Sequence, residues 1–323
     1  MLLLLFGALR CSALSPRRQW PAKSRGGSVA AEPSAAASTA AATLHWLHPA
    51  GAQAGAGRSL GESLGRGDVV LCLAGVASDE DLEDLLCAGM EAVDSEEARS
   101  GKPRKAKSRF SVSDGDAFPL DVVGSCETLL LSVMDILDSN HPSIYDHLFK
   151  PTPEWPAKQP SSRLRGEVAG DSPDLYLDDV YSTLRELYSA GELEWSEGEP
   201  AINVYTPGGG FGAHKDHLAL SVLIPLTSPD VDFDGGGTAF WSAFDLQGLE
   251  NDAAPDGPPT LLLRPKLGTA MLFGGDVTHA GASVTDGIRS VFVASFSTRT
   301  PQSPADRTNG LRAALTSGTL RQA

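Results

Sequence analysis

His214 and Asp216 stand one residue apart, His279 follows 63 residues after the aspartate, and Arg289 lies ten residues beyond that histidine. The first pair falls inside Asn203-Val-Tyr-Thr-Pro-Gly-Gly-Gly-Phe-Gly-Ala-His-Lys-Asp-His-Leu-Ala-Leu-Ser-Val-Leu-Ile-Pro-Leu226, a glycine-rich turn running into an apolar stretch that reads as a strand. Along a strand, residues i and i+2 share a face, so the His214 imidazole and the Asp216 carboxylate are expected to reach one cation. Two imidazoles and one carboxylate on one triangular face leave three positions open, which suits Fe(II) binding a co-substrate and O2. His217 alternates to the opposite face and is expected to point away from the metal. Arg289 precedes Val291–Phe296, which reads as a buried strand, and a buried arginine without an anion is costly. An anionic co-substrate would supply that anion.

Four segments carry a resemblance to a known family. They are Tyr205 with the glycines before His214-x-Asp216, Phe233-Asp-Gly-Gly-Gly-Thr-Ala-Phe-Trp241, Pro265-Lys-Leu-Gly-Thr-Ala-Met-Leu-Phe273 leading to His279, and Gly287-Ile-Arg289. Together they resemble the 2-oxoglutarate/Fe(II)-dependent dioxygenase superfamily, and within it the prolyl 4-hydroxylase-like branch. The resemblance implies a mainly β (α+β) fold, a double-stranded β-helix or jelly roll with supporting N-terminal helices. It implies His214, Asp216 and His279 as metal ligands and Arg289 as the partner of the far carboxylate of 2-oxoglutarate, with Tyr205 and Thr238 as further cofactor-binding residues and Trp241 near the pocket. The implied cofactors are Fe(II), 2-oxoglutarate as co-substrate, O2 and ascorbate. The implied reaction is hydroxylation of an unactivated C–H bond, with release of succinate and CO2. Peptidyl proline or another protein side chain is the family-level favourite as substrate. A small-molecule oxygenase and a non-catalytic metal- and 2-oxoglutarate-binding sensor are the alternatives. Related hydroxylases often carry lysine where this chain has Arg289, and a guanidinium fork can replace it because it makes two parallel charge-assisted bonds to a carboxylate.

The elements that must position these residues are legible in outline. Val69–Ala74 reads as a strand, and Ser78 as the cap of a helix bearing Leu82, Leu85 and Leu86 on one stripe. A second helix is expected over about Ser125–Leu137. A third is expected from Ser172 and Pro173 through Leu177, Val180, Tyr181, Leu184, Leu187 and Tyr188, stopping before Gly191. Residues 94–108, with Lys102, Arg104, Lys105 and Lys107, read as a solvated loop. From Ile202 onward, short β-branched and aromatic runs alternate with Gly/Pro turns. Gly208–Gly212 is expected to be a mobile hairpin beside the site. Asp230-Val-Asp-Phe-Asp-Gly235 imitates the start of a calcium loop but has Trp241 at its twelfth position, so it reads as a turn. Residues 242–259 form a long acidic connection, read as a surface insertion or a substrate-shaping lid.

Composition excludes some partners and divides the chain. Twenty-six basic against forty-one acidic residues give a net charge of −15, a poor match for nucleic acid or an anionic membrane. The apolar run Met1–Leu9 and the following tract, basic and free of acids until Glu32, resemble a secretory signal or a bipartite plastid address. The boundaries read as a targeting leader and low-complexity spacer over 1–64, a dioxygenase domain over 65–300 (helical support 65–199, β-helix core 200–300), and a tail over 301–323. No stretch is long and apolar enough to be a stable membrane span. Cys72 and Cys87 lie in apolar-periodic stretches and read as small core residues.

Overall fold

The computed structural model describes residues 41–47, 57–102, 104–112, 118–150, 181–242, 255 and 257–298. The leader, the prolines of 150–171, the first half of the third expected helix, most of the acidic connection and the tail lie outside the described residues.

Two sheets face each other. The larger runs in the order β1 (Ala42–Trp46), β2 (Val69–Leu73), β11 (Ala270–Phe273), β7 (Leu220–Pro225), β14 (Arg289–Thr298), β5 (Ala201–Tyr205), β3 (Lys107–Ser111), with β4 (Leu193–Trp195) also on β14. The smaller runs β10 (Leu261–Leu263), β9 (Thr238–Trp241), β12 (Thr278–Gly281), β6 (Phe211–His214), and a short ribbon pairs β13 (Val284–Gly287) with β8 (Phe233–Gly235). Every pairing between these strands is antiparallel. The architecture is the jelly roll that the sequence led us to expect.

Period-2 alternation decides what each face of the large sheet does. On β14, Phe292, Ala294 and Phe296 face outward into a core shared with helices, while Arg289, Val291, Val293 and Ser295 face the space between the sheets. On β5, Ile202 and Val204 likewise point to the helices, and Asn203 and Tyr205 to the interior. Because both faces are covered, β14 is buried along all but its last residue, which is why apolar residues fall on both of its faces from Val291 to Ala294.

The outward face is covered by α2 (Asp79–Ser100) and α3 (Leu120–Asn140), whose Leu82, Leu85, Leu86, Leu129, Leu130 and Val133 pack into the same core. Ser78 caps α2 as expected: its hydroxyl accepts the Asp81 N–H at 3.2 Å and donates to the Asp81 carboxylate at 2.6 Å. Such a cap contributes about 1 kcal/mol. The helix ends on Gly101 at φ 63, the left-handed cap for which glycine is suited.

Four expectations need correction. The second helix is longer than expected, Leu120–Asn140, because its weakly apolar first turn still forms. Of the third, the described part is a short helix, α5 (Leu184–Ser189), capped by Thr183; the equally short α1 (Leu60–Gly65) and α4 (Ser143–Leu148) complete the helices described. Residues 94–108 are not one loop, since α2 continues to Ser100 and β3 begins at Lys107 as an edge strand paired to β5. The sheet also begins inside the stretch read as spacer: β1 pairs with β2 along five residues, a strand too short and too polar in its surroundings to register as periodic. Cys72 is buried as expected, whereas Cys87 is only half-buried.

Candidate metal centre and anion pocket

His214 and His279 are direct register partners across β6 and β12, so the small sheet itself brings the two imidazoles together, with ring centroids 4.3 Å apart. Asp216 does not share a strand with His214, as the spacing had suggested. The strand β6 ends at His214, and Asp216 lies in the irregular link to β7. It reaches the same point by another route, with His214 Nε2 3.3 Å from Oδ1 and His279 Nε2 3.6 Å from Oδ2. One ligand atom from each of the three residues lies within 4.8 Å of the others, the one such His/Cys/Asp/Glu group among the described residues.

The ligand atoms are oriented, not merely close. His214 Nδ1 sits 2.9 Å from the Gly212 carbonyl and His279 Nδ1 3.1 Å from the Val277 carbonyl. A carbonyl can only accept, so each Nδ1 carries a proton and each Nε2 is turned toward Asp216, the nitrogen left for a metal when the ring is neutral. Ser221 donates to Asp216 Oδ2 at 2.5 Å and Ser295 to the same oxygen at 3.4 Å. Burial alone would raise the Asp216 carboxyl. The His214 hydrogen bond, the charge of His279 and the Ser221 hydroxyl outweigh it and hold the group at about 2. Burial pushes His279 toward its neutral form against the pull of Asp216. For His214 burial acts the same way, but Asp216 outweighs it and raises the pKa.

Arg289 opens β14 beside this centre and is 5% exposed, so its charge is almost wholly removed from water. Its Nη2 donates to Thr238 Oγ1 at 3.1 Å, its guanidinium lies 5.3 Å from the Tyr205 ring centroid, and Tyr205 is its register partner on β5. Among the described residues no carboxylate pairs with it. Burial lowers its pKa, opposed only by Tyr205. The same cavity is lined by His214, Asp216, His279, Tyr205, Thr238 and Arg289. The donor set fits a divalent transition metal, and the unpaired guanidinium fits an anion bound beside it.

No protein-family model and no curated protein matches the sequence. Among solved structures, the viral collagen prolyl hydroxylase vCPH of Paramecium Bursaria Chlorella virus-1 is 13% identical, the match covering 70% of this chain and 94% of that one at a TM-score of 0.38. HygX from Streptomyces hygroscopicus, with nickel and 2-oxoglutarate bound, is 12% identical over 75% of this chain and 86% of its own, at a TM-score of 0.41. A prolyl 4-hydroxylase from Phytophthora capsici is 11% identical over 76% of this chain and 63% of that one, at a TM-score of 0.38. At these identities and TM-scores the likeness carries no argument, and the chemistry has to be read from the side chains.

Those side chains divide into the foreseen and the missed. His217 points away as expected, but because it sits off-strand at φ 58 near Asp276, not through strand alternation. Trp241 does not line the cavity; its indole donates to the Gly257 carbonyl at 3.2 Å. The glycine hairpin is pinned. Gly208 N donates to Val284 O at 2.8 Å and Val284 N to Gly209 O at 2.9 Å, and a Cβ on Gly209 would stand 1.8 Å from the Ala106 carbonyl oxygen. Residues 230–232 are a turn, with Asp232 accepting the Ser228 N–H at 2.7 Å, but Phe233–Gly235, read as part of it, is the strand β8. Unforeseen were Ser221 and Ser295, and also Arg109 and Glu199, which pair at 2.7 Å in the wall of the cavity. A signal existed for Ser221, the one polar residue of the apolar strand β7; Ser295 shares β14 with Arg289, Ser290 and Ser297 and had none.

Proposed function

We propose that the chain is an Fe(II)- and 2-oxoglutarate-dependent oxygenase that hydroxylates an unactivated C–H bond, with succinate and CO2 as co-products. The observation that carries this reading is the conjunction in one cavity of an oriented His214–Asp216–His279 triad and a buried, carboxylate-free Arg289. A divalent iron held by the three ligands would supply the activation of O2 that organic side chains cannot perform. Arg289 would hold the far carboxylate of 2-oxoglutarate through its two-pronged donor set, with Thr238 fixing the guanidinium and Tyr205 offering a phenol on the same rung. Ser221 and Ser295 hold Asp216 ionised and in place. Leu223, Val291 and Val293 make the adjoining wall apolar, which keeps water from the reacting bond.

The substrate we favour is a protein side chain, with peptidyl proline first, on the strength of the sequence motifs around His214 and Phe233. A sensor that only bound the metal and 2-oxoglutarate would use the same residues, and turnover separates it from the enzyme. Ascorbate would serve only to keep iron reduced. The leader is proposed to direct the chain into the secretory pathway or a plastid. The test of the activity is succinate formation by the purified protein with Fe(II), 2-oxoglutarate and O2. Turnover that is lost in Asp216→Ala supports the reading, and turnover that survives in that variant overturns it.

A further inference from the structure

Four of the six residues Arg104–Arg109 are basic in a chain whose net charge is −15. Three of the four are already neutralised. Arg104 pairs with Asp94 at 2.5 Å and Glu97 at 3.8 Å, Lys105 pairs with Glu96, and Arg109 with Glu199 at 2.7 Å. Lys107 has no carboxylate partner among the described residues. Its ammonium lies 3.2 Å from the centroid of the Phe211 ring, and that ring packs against His214 at 4.5 Å.

The register fixes where this free cation sits. Lys107 opposes Tyr205 on β5, and Tyr205 opposes Arg289 on β14, so the three occupy one rung of the large sheet. Strand spacing puts the backbones of Lys107 and Arg289 roughly 10 Å apart. They differ in depth: Arg289 is buried, while Lys107 is half-buried on the edge strand, beside a ring that lines the cavity. A cation partly stripped of water, raised over an aromatic face and next to Arg109, loses hydration without gaining a counter-charge. Burial and the Arg109 charge both depress its pKa. The interior arginine has its anion in the co-substrate, so the rim lysine is available to another.

We propose that Lys107 is a specificity residue that receives a negatively charged group of the substrate, next to the bond that is oxidised at the metal centre. This rests on the oxygenase reading above and adds the substrate's charge to it. The shared chemistry is a carboxylate, carried by an acidic peptide or by a small acid.

The test uses the full chain with Mn(II) and 2-oxoglutarate. Fluorescein-labelled nonapeptides with a central proline, identical except for Glu, Gln or Lys flanking it, are compared by anisotropy. N-acetylglutamate amide and N-acetylglutamine amide serve as small competitors. The expected result is at least tenfold tighter binding of the Glu peptide than of its Lys counterpart, or competition by the glutamate derivative alone, which would identify a small acid. Lys107→Glu should abolish or reverse the preference, and Lys107→Gln, which removes charge without adding any, should weaken it. Lys102→Glu changes the net charge equally at an exposed position and should leave the preference intact. No acidic preference in either arm, or a preference that survives both Lys107 variants, overturns the proposal. Mn(II) uptake is titrated on the same samples: absence of uptake with the acidic preference intact overturns the oxygenase reading alone.

Discussion

Ser221 and Ser295 stand opposite each other on β7 and β14, and both hydroxyls donate to the same oxygen of Asp216, at 2.5 and 3.4 Å. The carboxylate between the two histidines is thus anchored from the large sheet while the histidines belong to the small one. The candidate metal centre bridges the two layers of the jelly roll.

Ser221→Ala should therefore loosen the metal site without touching a ligand. Losing an outer hydrogen bond to a ligand costs roughly 10–100-fold in metal affinity. Mn(II) calorimetry should show a loss in that range for Ser221→Ala and a smaller one for Ser295→Ala, whose bond is longer. Equal affinities for both variants and the parent protein would assign the serines to packing.

Arg289→Ala should raise the 2-oxoglutarate dissociation constant at least tenfold and leave Mn(II) affinity nearly unchanged, because the arginine is not a ligand. The loss of a bidentate charge-assisted pair in a dry site corresponds to about 2–5 kcal/mol. Arg289→Lys should recover part of it. Thr238→Val should cost less, since it removes one bond to the guanidinium and none to the anion. Normal 2-oxoglutarate binding by Arg289→Ala would move the anion site to another basic residue, Lys215 or Lys266.

Gly209→Ala should destabilise the fold, because the new Cβ would meet the Ala106 carbonyl oxygen at 1.8 Å and backbone has to shift. Overpacking of this kind costs about 1–3 kcal/mol. Gly212→Ala, with nothing within 4 Å of its added Cβ, should be near neutral. Urea midpoints of the two variants check the contrast.

The buried thiols should be inert. Burial pushes Cys72 up to about 11 and Cys126 up to about 12, and the thiolate is the reactive form. Both stay protonated at pH 8, and reactivity should rise only as pH approaches those values or as the protein unfolds. Mass spectrometry after iodoacetamide treatment of native and urea-unfolded protein reads this directly; rapid native labelling of Cys126 would contradict its place on the buried face of α3.

The candidate ligands and Arg289 stood out because each chemical type is costly where it stands: two histidines, an aspartate and an arginine amid apolar strands need a reason to be there. The jelly roll was legible from short runs and turns after Ile202. The route of Asp216 was not, since an i, i+2 spacing cannot distinguish a strand from a strand end followed by a link. Lys107 and Arg109 were hidden for a related reason. Inside a charged, proline-broken stretch, a five-residue edge strand has too few apolar positions to show its period, and only pairing with β5 reveals that its alternate residues face the site. The glycines near Gly208 looked mobile because glycine is permissive; the bonds that pin them come from Val284, 76 residues away in sequence. Ascorbate, the leader and the substrate have no described residues to show them.

The most direct measurement of the central claim is the visible absorption of the anaerobic protein on adding Fe(II) and then 2-oxoglutarate. Chelation of iron by the keto acid produces a charge-transfer band that neither component gives alone, and it requires no knowledge of the substrate. We expect the band in the parent protein at one iron per chain, its loss in Asp216→Ala and His279→Ala, and a demand for more 2-oxoglutarate in Arg289→Ala. A band that persists without Asp216, or none at all in a protein that binds both iron and 2-oxoglutarate, would contradict the account.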